Sequence, residues 1–115
     1  MSDVPMREPT FLVLTALAEE PRHGYAVIED VATMTSGRVR LRAGTLYAAL
    51  DRLRVDGLIE VDREEVVQSR LRRYYRLTGA GEQSLAAESA RLRLQATIAE
   101  SRLRTRRTHL GGATA

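Results

Sequence analysis

The side chains best equipped for chemistry in this 115-residue chain are its arginines. All 18 basic residues are Arg, and Lys is absent. A guanidinium is a planar fork that matches phosphate oxygens and the edge of guanine. GC-rich coding also yields Arg in place of Lys, so the residue type alone says little. Its placement says more. Residues 1–37 carry two Arg against six acids, residues 38–76 ten against six, and residues 77–115 six against three. The net charge of +3 is therefore concentrated in the middle and the tail. Other reactive types are scarce. There is no Cys, and His23 and His109 stand alone, so neither a disulfide nor a metal site is expected. Glu29, Asp30 and Glu60 have no partner that spacing identifies. No glycine-rich phosphate loop, zinc motif or nucleophile elbow occurs. The expectation is a non-enzyme without a cofactor.

Elements must position the arginines, and hydrophobic spacing outlines them. Thr10 is a natural N-cap for a first helix, Phe11 to Ala18, which is apolar on nearly every face and ends at Glu19-Glu20-Pro21. A second helix runs to Met34 with Tyr25, Ile28 and Ala32 on one stripe and Val27 and Val31 beside it, closed by Ser36-Gly37. Gly24 at its entry reads as a backbone-permission residue. Arg38-Val39-Arg40-Leu41-Arg42 alternates as a short strand does. Leu46, Leu50 and Leu53 define a third helix from Ala43 to Asp56, stopped by Gly57. Residues 58–63 and 72–77 read as antiparallel strands around a polar loop, with Tyr75 and Leu77 facing the core. Thr78 caps a long last helix to about Arg107, with Leu85, Leu92, Ala96, Ala99 and Leu103 on a heptad seam that Leu94 and Ile98 widen.

This length is one domain's worth, and the balance of 43% hydrophobic and 29% charged residues is that of a globular chain. No apolar run is long enough to span a membrane. Met1-Ser2-Asp3 lacks the basic start of a signal peptide, so the cytoplasm is the expected location.

The order of elements is that of a winged helix-turn-helix: mainly α, with a small antiparallel β wing and a long C-terminal dimerisation helix. The expected division is a DNA-binding domain over 1–78, the dimerisation helix over 79–110 and a flexible tail over 111–115. One helix fits the major groove of duplex DNA, and a basic β-ribbon suits the backbone or the minor groove. The candidate DNA contacts are Tyr25, Arg40, Arg42, Gly44, Thr45, Tyr47, Ala48, Arg52, Arg70, Arg72 and Arg73. Arg42 and Thr45 flank the start of the third helix, where phosphate is favoured. Blander roles compete: Tyr47 can pack the third helix on the wing, Arg40, Arg42, Arg52 and Arg54 can form a solvated face, and Arg70, Arg72 and Arg73 can guard a sheet edge.

The run Gly44-Thr45-Leu46-Tyr47-Ala48-Ala49-Leu50-Asp51-Arg52-Leu53 followed by Gly57-Leu58-Ile59 resembles the recognition-helix signature of PadR-type regulators. His23-Gly24-Tyr25 resembles their second helix, and Arg73 to Gly81 their second wing strand and its exit. Three motifs in the right order cover residues 10–110. Ala48 stands where the family commonly has proline, and Ala43 where it has proline or serine. The resemblance implies a homodimeric transcription regulator, mostly a repressor, that dimerises through its C-terminal helix and belongs to the compact, short-tailed subgroup. Part of that family holds flat aromatic effectors against tryptophan at the dimer centre. This chain has no Trp, which leaves the identity of any small-molecule effector open.

Subunit pairing is expected on physical grounds as well. An apolar first helix and the last helix's seam are hard to cover within one small chain, so Phe11, Leu12, Leu14, Leu85, Leu92, Ala96, Ala99 and Leu103 are assigned to a homodimer interface. Double-stranded DNA and a second copy of the chain are the expected partners. Two other uses of the scaffold stay open here: a protein-interaction module, and a small-molecule sensor in which DNA binding is lost or secondary.

Overall fold

In the computed structural model, which describes residues 5–114, the chain forms α1 (Glu8–Ala18), β1 (Arg22–His23), α2 (Gly24–Met34), α3 (Ala43–Val55), β2 (Ile59–Val67), β3 (Arg70–Leu77) and α4 (Gly79–Thr114). The Met1-Ser2-Asp3 start, Ala115 and the side chains of residues 112–114 lie outside the described residues. Two compact units result, one ending at Leu85 and one starting at Ala86. The first is the winged helix anticipated from the hydrophobic spacing.

Its core draws on every element of that unit. Leu12, Val13, Leu14, Ala16 and Leu17 of α1, Val27 and Val31 of α2, Leu46, Leu50 and Leu53 of α3, Ile59 of β2 and Tyr75 of β3 are buried in one cluster. The all-round apolarity of α1 is thus largely satisfied inside its own chain. Leu14 is fully buried and Leu12 nearly so, which removes them as dimer-interface residues, while Phe11 is only partly covered. In α2 the core stripe is Val27 and Val31; Tyr25 turns outward and is 64% exposed. Helix α1 starts at Glu8, one turn's cap earlier than Thr10, because Pro9 is comfortable in a first turn that needs no N–H there.

Residues 38–42 form no strand. Thr35 ends α2, and Gly37 takes a left-handed turn at φ 81° that any other residue would resist. The Thr35 hydroxyl then accepts from Val39 N at 3.0 Å, and Arg38 pairs with Glu8 at 2.6 Å. Val39 and Leu41 dip into the core with no neighbouring strand to pair with, so their alternation reports burial alone. The third strand is β1, only two residues long. It pairs Arg22 with Tyr75 and His23 with Tyr74, giving the sheet order β1-β3-β2.

The wing is longer than the sequence suggests. The segment expected as a loop continues the ladder to Val67 opposite Arg70, and the strands reverse through Gln68 and Ser69 at φ 52° and 64°. Positive φ at both central residues matches the twist of a two-residue hairpin. A bulge at Asp62 separates the pairs Val61–Tyr75 and Arg63–Tyr74.

Thr78 does cap α4: its hydroxyl accepts from Gly81 N at 3.0 Å and donates to Gly57 O at 2.7 Å. In the second unit α4 continues past Arg107, and the backbone of 111–114 is helical instead of a flexible end. Leu92, Ala96, Ala99, Leu103 and Leu110 are exposed along one side of it. At 100° per residue, Leu94 and Ile98 fall on the opposite side and do not widen that seam.

Gly81 supplies a test of the packing. A Cβ there would lie 2.0 Å from the carbonyl oxygen of Leu58 and 2.8 Å from Leu77 Cδ2. Gly81→Ala should therefore cost about 1–3 kcal/mol or more through overpacking, read as a lower denaturation midpoint. Gly44→Ala, with nothing within 4 Å, should leave the midpoint unchanged or raise it. Equal midpoints for Gly81→Ala and the unsubstituted protein would contradict the close approach of α4 to Leu58.

Candidate nucleic-acid interface

Helix α3 exists because Leu46, Ala49, Leu50 and Leu53 give it one buried side. The opposite side is committed to solvent: Gly44, Ala48, Asp51 and Val55 run along its crest, all exposed. Tyr47 flanks the crest toward the wing and is 49% exposed; Thr45 and Arg52 flank it on the other side. The first two turns of the crest are therefore small, which lets the helix backbone approach a partner surface. Gly57 ends the helix at φ 76°, with Leu58 N bonded back to Leu53 O at 3.0 Å.

A cleft separates α3 from the wing. The start of α2 contributes His23, Gly24 and Tyr25, α3 contributes Tyr47 and Asp51, and the hairpin contributes Val67, Gln68 and Arg70 to Arg73, with Tyr75 at its base. The predicted residues Tyr25, Tyr47, Arg70, Arg72 and Arg73 meet here. Arg40 does not: it borders a neighbouring groove beside Tyr25, its guanidinium over Gly37. Arg42, the N-cap residue of α3, is exposed with Thr45, Ala48 and Arg52 on the helix surface outside the cleft. Leu71, Gln68 and Asp51 are cleft residues that sequence reasoning missed. Recognising that 64–70 belongs to the hairpin would have found the first two.

The wing's charges are sorted by strand register. Arg73 bonds Glu64 at 2.9 Å, Arg76 bonds Glu60 at 2.8 Å and Asp62 at 3.1 Å, and Arg63 bonds Glu65 at 2.7 Å and Asp62 at 2.9 Å. The Arg63 bond holds the Glu65 carboxyl below its ordinary range. Arg63 also lies 3.8 Å over the ring of Tyr74, whose edge meets His23 at 5.3 Å. Arg72 and Arg70 have no ion pair among the described residues. Neither have Arg40, Arg42 and Arg52, while Arg38 and Arg54 face Glu8 and Asp51. Arg7, ahead of α1, is the other unpaired arginine of this unit.

His23, read from sequence as an isolated residue, has a structural task. Its Nδ1 accepts from Ala26 N at 3.4 Å and so caps α2. Burial lowers its pKa, and the positive charge of Arg72 lowers it further against the weaker pull of Glu29 and Glu65. A neutral ring is what an accepting nitrogen requires. Among the described residues no group of three or more His, Cys, Asp or Glu could hold a metal ion, and no helix is long and apolar enough to cross a membrane.

Known proteins share this arrangement. Residues 13–87 match the profile of the transcriptional regulator PadR-like family. The transcriptional regulator Rv3488 of Mycobacterium tuberculosis is 40% identical over 70 residues, which are 61% of this chain and about half (51%) of that protein. The crystal structure of a PadR family transcriptional regulator from Eggerthella lenta superposes with a TM-score of 0.68 at 28% identity, over 83% of this chain and 80% of that one. Bacillus subtilis PadR, crystallised in complex with operator DNA, has the same fold at 21% identity, with a TM-score of 0.63 over 70% of this chain and 47% of its own. The chain belongs to the PadR-like family of transcriptional regulators.

Proposed function

We propose that the protein is a cytoplasmic homodimer that represses transcription by placing two α3 helices in successive major grooves of an inverted-repeat operator, without catalysing any reaction. The observation that carries this reading is the sorting of arginines. Arg40, Arg42, Arg52, Arg70 and Arg72 lack ion pairs and gather around α3 and the wing, while Arg63, Arg73 and Arg76 are neutralised within the wing itself. A polyanion with phosphates on either side of a groove answers that pattern. The fold-related B. subtilis protein was crystallised with operator DNA, which supports the same use of the surface. In this reading the exposed small crest of Gly44 and Ala48 enters the groove, Thr45 and Tyr47 read base edges, and Arg70 and Arg72 grip the backbone or minor groove. Asp51 is placed to accept from a cytosine amino group. Residues 1–78 bind DNA and the seam of 79–110 joins the subunits. An effector that changed the distance between the two α3 helices would release the operator.

Two measurements test this. In a salt titration with a duplex selected from a random pool, log affinity should fall steeply with log salt. The Arg70→Ala, Arg72→Ala double substitution should weaken selected and random duplexes alike and make the slope shallower by about two, one for each lost phosphate contact. Arg73→Ala should change it less, because Glu64 already holds that charge. Thr45→Ala should instead weaken the selected duplex by about tenfold and spare the random one. A salt-independent affinity would remove DNA from the account.

The second concerns assembly. Leu92 and Leu103 are 39% and 54% exposed on the α4 seam. Leu92→Asp with Leu103→Asp should give a folded monomer by sedimentation whose affinity for the operator collapses, since the second half-site no longer binds as a tethered partner. For the unsubstituted protein, half-sites about 10 base pairs apart centre to centre, or a multiple, should bind best. An unsubstituted protein that sediments as a monomer while holding its operator tightly would refute the dimer.

A further inference from the structure

Gly24 is the first residue of α2, and it is buried. A glycine at that position needs a reason, because it gives up backbone entropy that alanine would not. Its backbone supplies none: among the described glycines only Gly37 and Gly57 have positive φ. The reason lies in space. A Cβ on Gly24 would sit 2.5 Å from Tyr47 Oη, 2.9 Å from its Cζ and 3.3 Å from its Cε1. All three nearest atoms belong to one side chain, so the ring of Tyr47 occupies the place a side chain at 24 would fill. The remainder of Tyr47 is open to the cleft between α3 and the wing. Its hydroxyl makes no hydrogen bond with another described residue, so its donor and acceptor are available to a ligand.

We infer that Gly24 is a positioning residue for DNA recognition: its missing side chain seats the Tyr47 ring against the start of α2 and so aims the hydroxyl into the cleft. This rests on the proposed function, in which Tyr47 meets the duplex. A methyl at 24 forces the ring to rotate about χ1 and χ2. Tyr47 is half exposed and can move without opening the core, so the penalty falls on recognition and spares folding. The relation is pairwise. Once the ring is gone, a methyl at 24 has nothing to strike.

The test is a double-mutant cycle on the full chain, with Gly24→Ala, Tyr47→Ala and the two combined. Affinities are measured for the selected duplex and a random duplex, and folding by thermal melting. Tyr47→Ala should weaken the selected duplex by about tenfold and the random duplex by less than about twofold. Gly24→Ala should reproduce that pattern with an unchanged melting midpoint. In the Tyr47→Ala background, Gly24→Ala should add less than about twofold. Tyr47→Phe, which removes the nearest atom but keeps Cζ, should make the Gly24→Ala effect smaller without abolishing it. Additive losses, or a Gly24→Ala protein that binds like the unsubstituted one while Tyr47→Ala weakens binding, would overturn the inference. So would a Gly24→Ala protein that fails to fold both alone and with Tyr47→Ala. If Tyr47→Ala leaves the selected affinity intact while the salt dependence through Arg70 and Arg72 persists, DNA binding stands and the positioning role falls.

Discussion

The burial of one side of α3 is the constraint on which the remaining arrangement depends. Leu46 and Leu50 are fully buried and Leu53 nearly so, in a cluster that also holds Leu14 of α1, Val27 and Val31 of α2, Ile59 and Tyr75. Burying each such leucine contributes on the order of 2 kcal/mol, so rotating the helix by a quarter turn would forfeit several kcal/mol. The helix is therefore held at one rotation about its axis. The face it shows to solvent, with Gly44, Ala48 and Asp51 along the crest and Tyr47 beside them, follows from what it hides. The same cluster anchors the base of the wing through Ile59 and Tyr75, which fixes where the hairpin leaves the body.

Electrostatics acts on this frame at the surface. Exposed ion pairs such as Arg73–Glu64 and Arg76–Glu60 add little to stability, about 0–1 kcal/mol each. Their effect is on distribution. The acids of β2 neutralise the arginines along most of the wing, and the charge left over sits toward the tip, on Arg70 and Arg72. Arg72 also acts inward: with burial, it keeps His23 neutral, as the cap on α2 requires. The N-terminal residue of that helix is Gly24, against which Tyr47 rests. The wing, the start of α2 and the exposed flank of α3 are thus coupled around one cleft.

Much of the fold was legible in the sequence because its signals are local. Leu46, Leu50 and Leu53 mark α3 by their spacing, Gly57 marks its end by a left-handed turn, and Thr78 marks the start of α4 by a cap that the structure reproduces. What stayed hidden depends on partners distant in the chain. Val39 and Leu41 alternate as a strand does, yet a strand needs an edge to pair with, and β1 at Arg22–His23 has taken that of β3. The hairpin's true length was masked because Gln68-Ser69 lacks the Asn-Gly or Asp-Gly signal of its turn type. The apolar surface of α1 suggested a partner subunit, whereas the sheet and two helices of its own chain cover Leu14. At the site, Tyr47, Arg70 and Arg72 could be named from residue type and position. The role of Gly24 could not, since it is a steric relation between two residues far apart in sequence.

The most direct test of the central claim, that the cleft between α3 and the wing is a duplex-binding surface, is an amide chemical-shift titration of the isotopically labelled protein with a duplex selected from a random pool. Resonances of Tyr25, Arg42 to Ala48 and Gln68 to Arg73 should move or broaden together at stoichiometric DNA, while those of Leu12 to Leu17 in the buried helix α1 should change little. Perturbations confined to α1 or to the segment beyond Ala86, with α3 and the wing tip unmoved, would contradict the account.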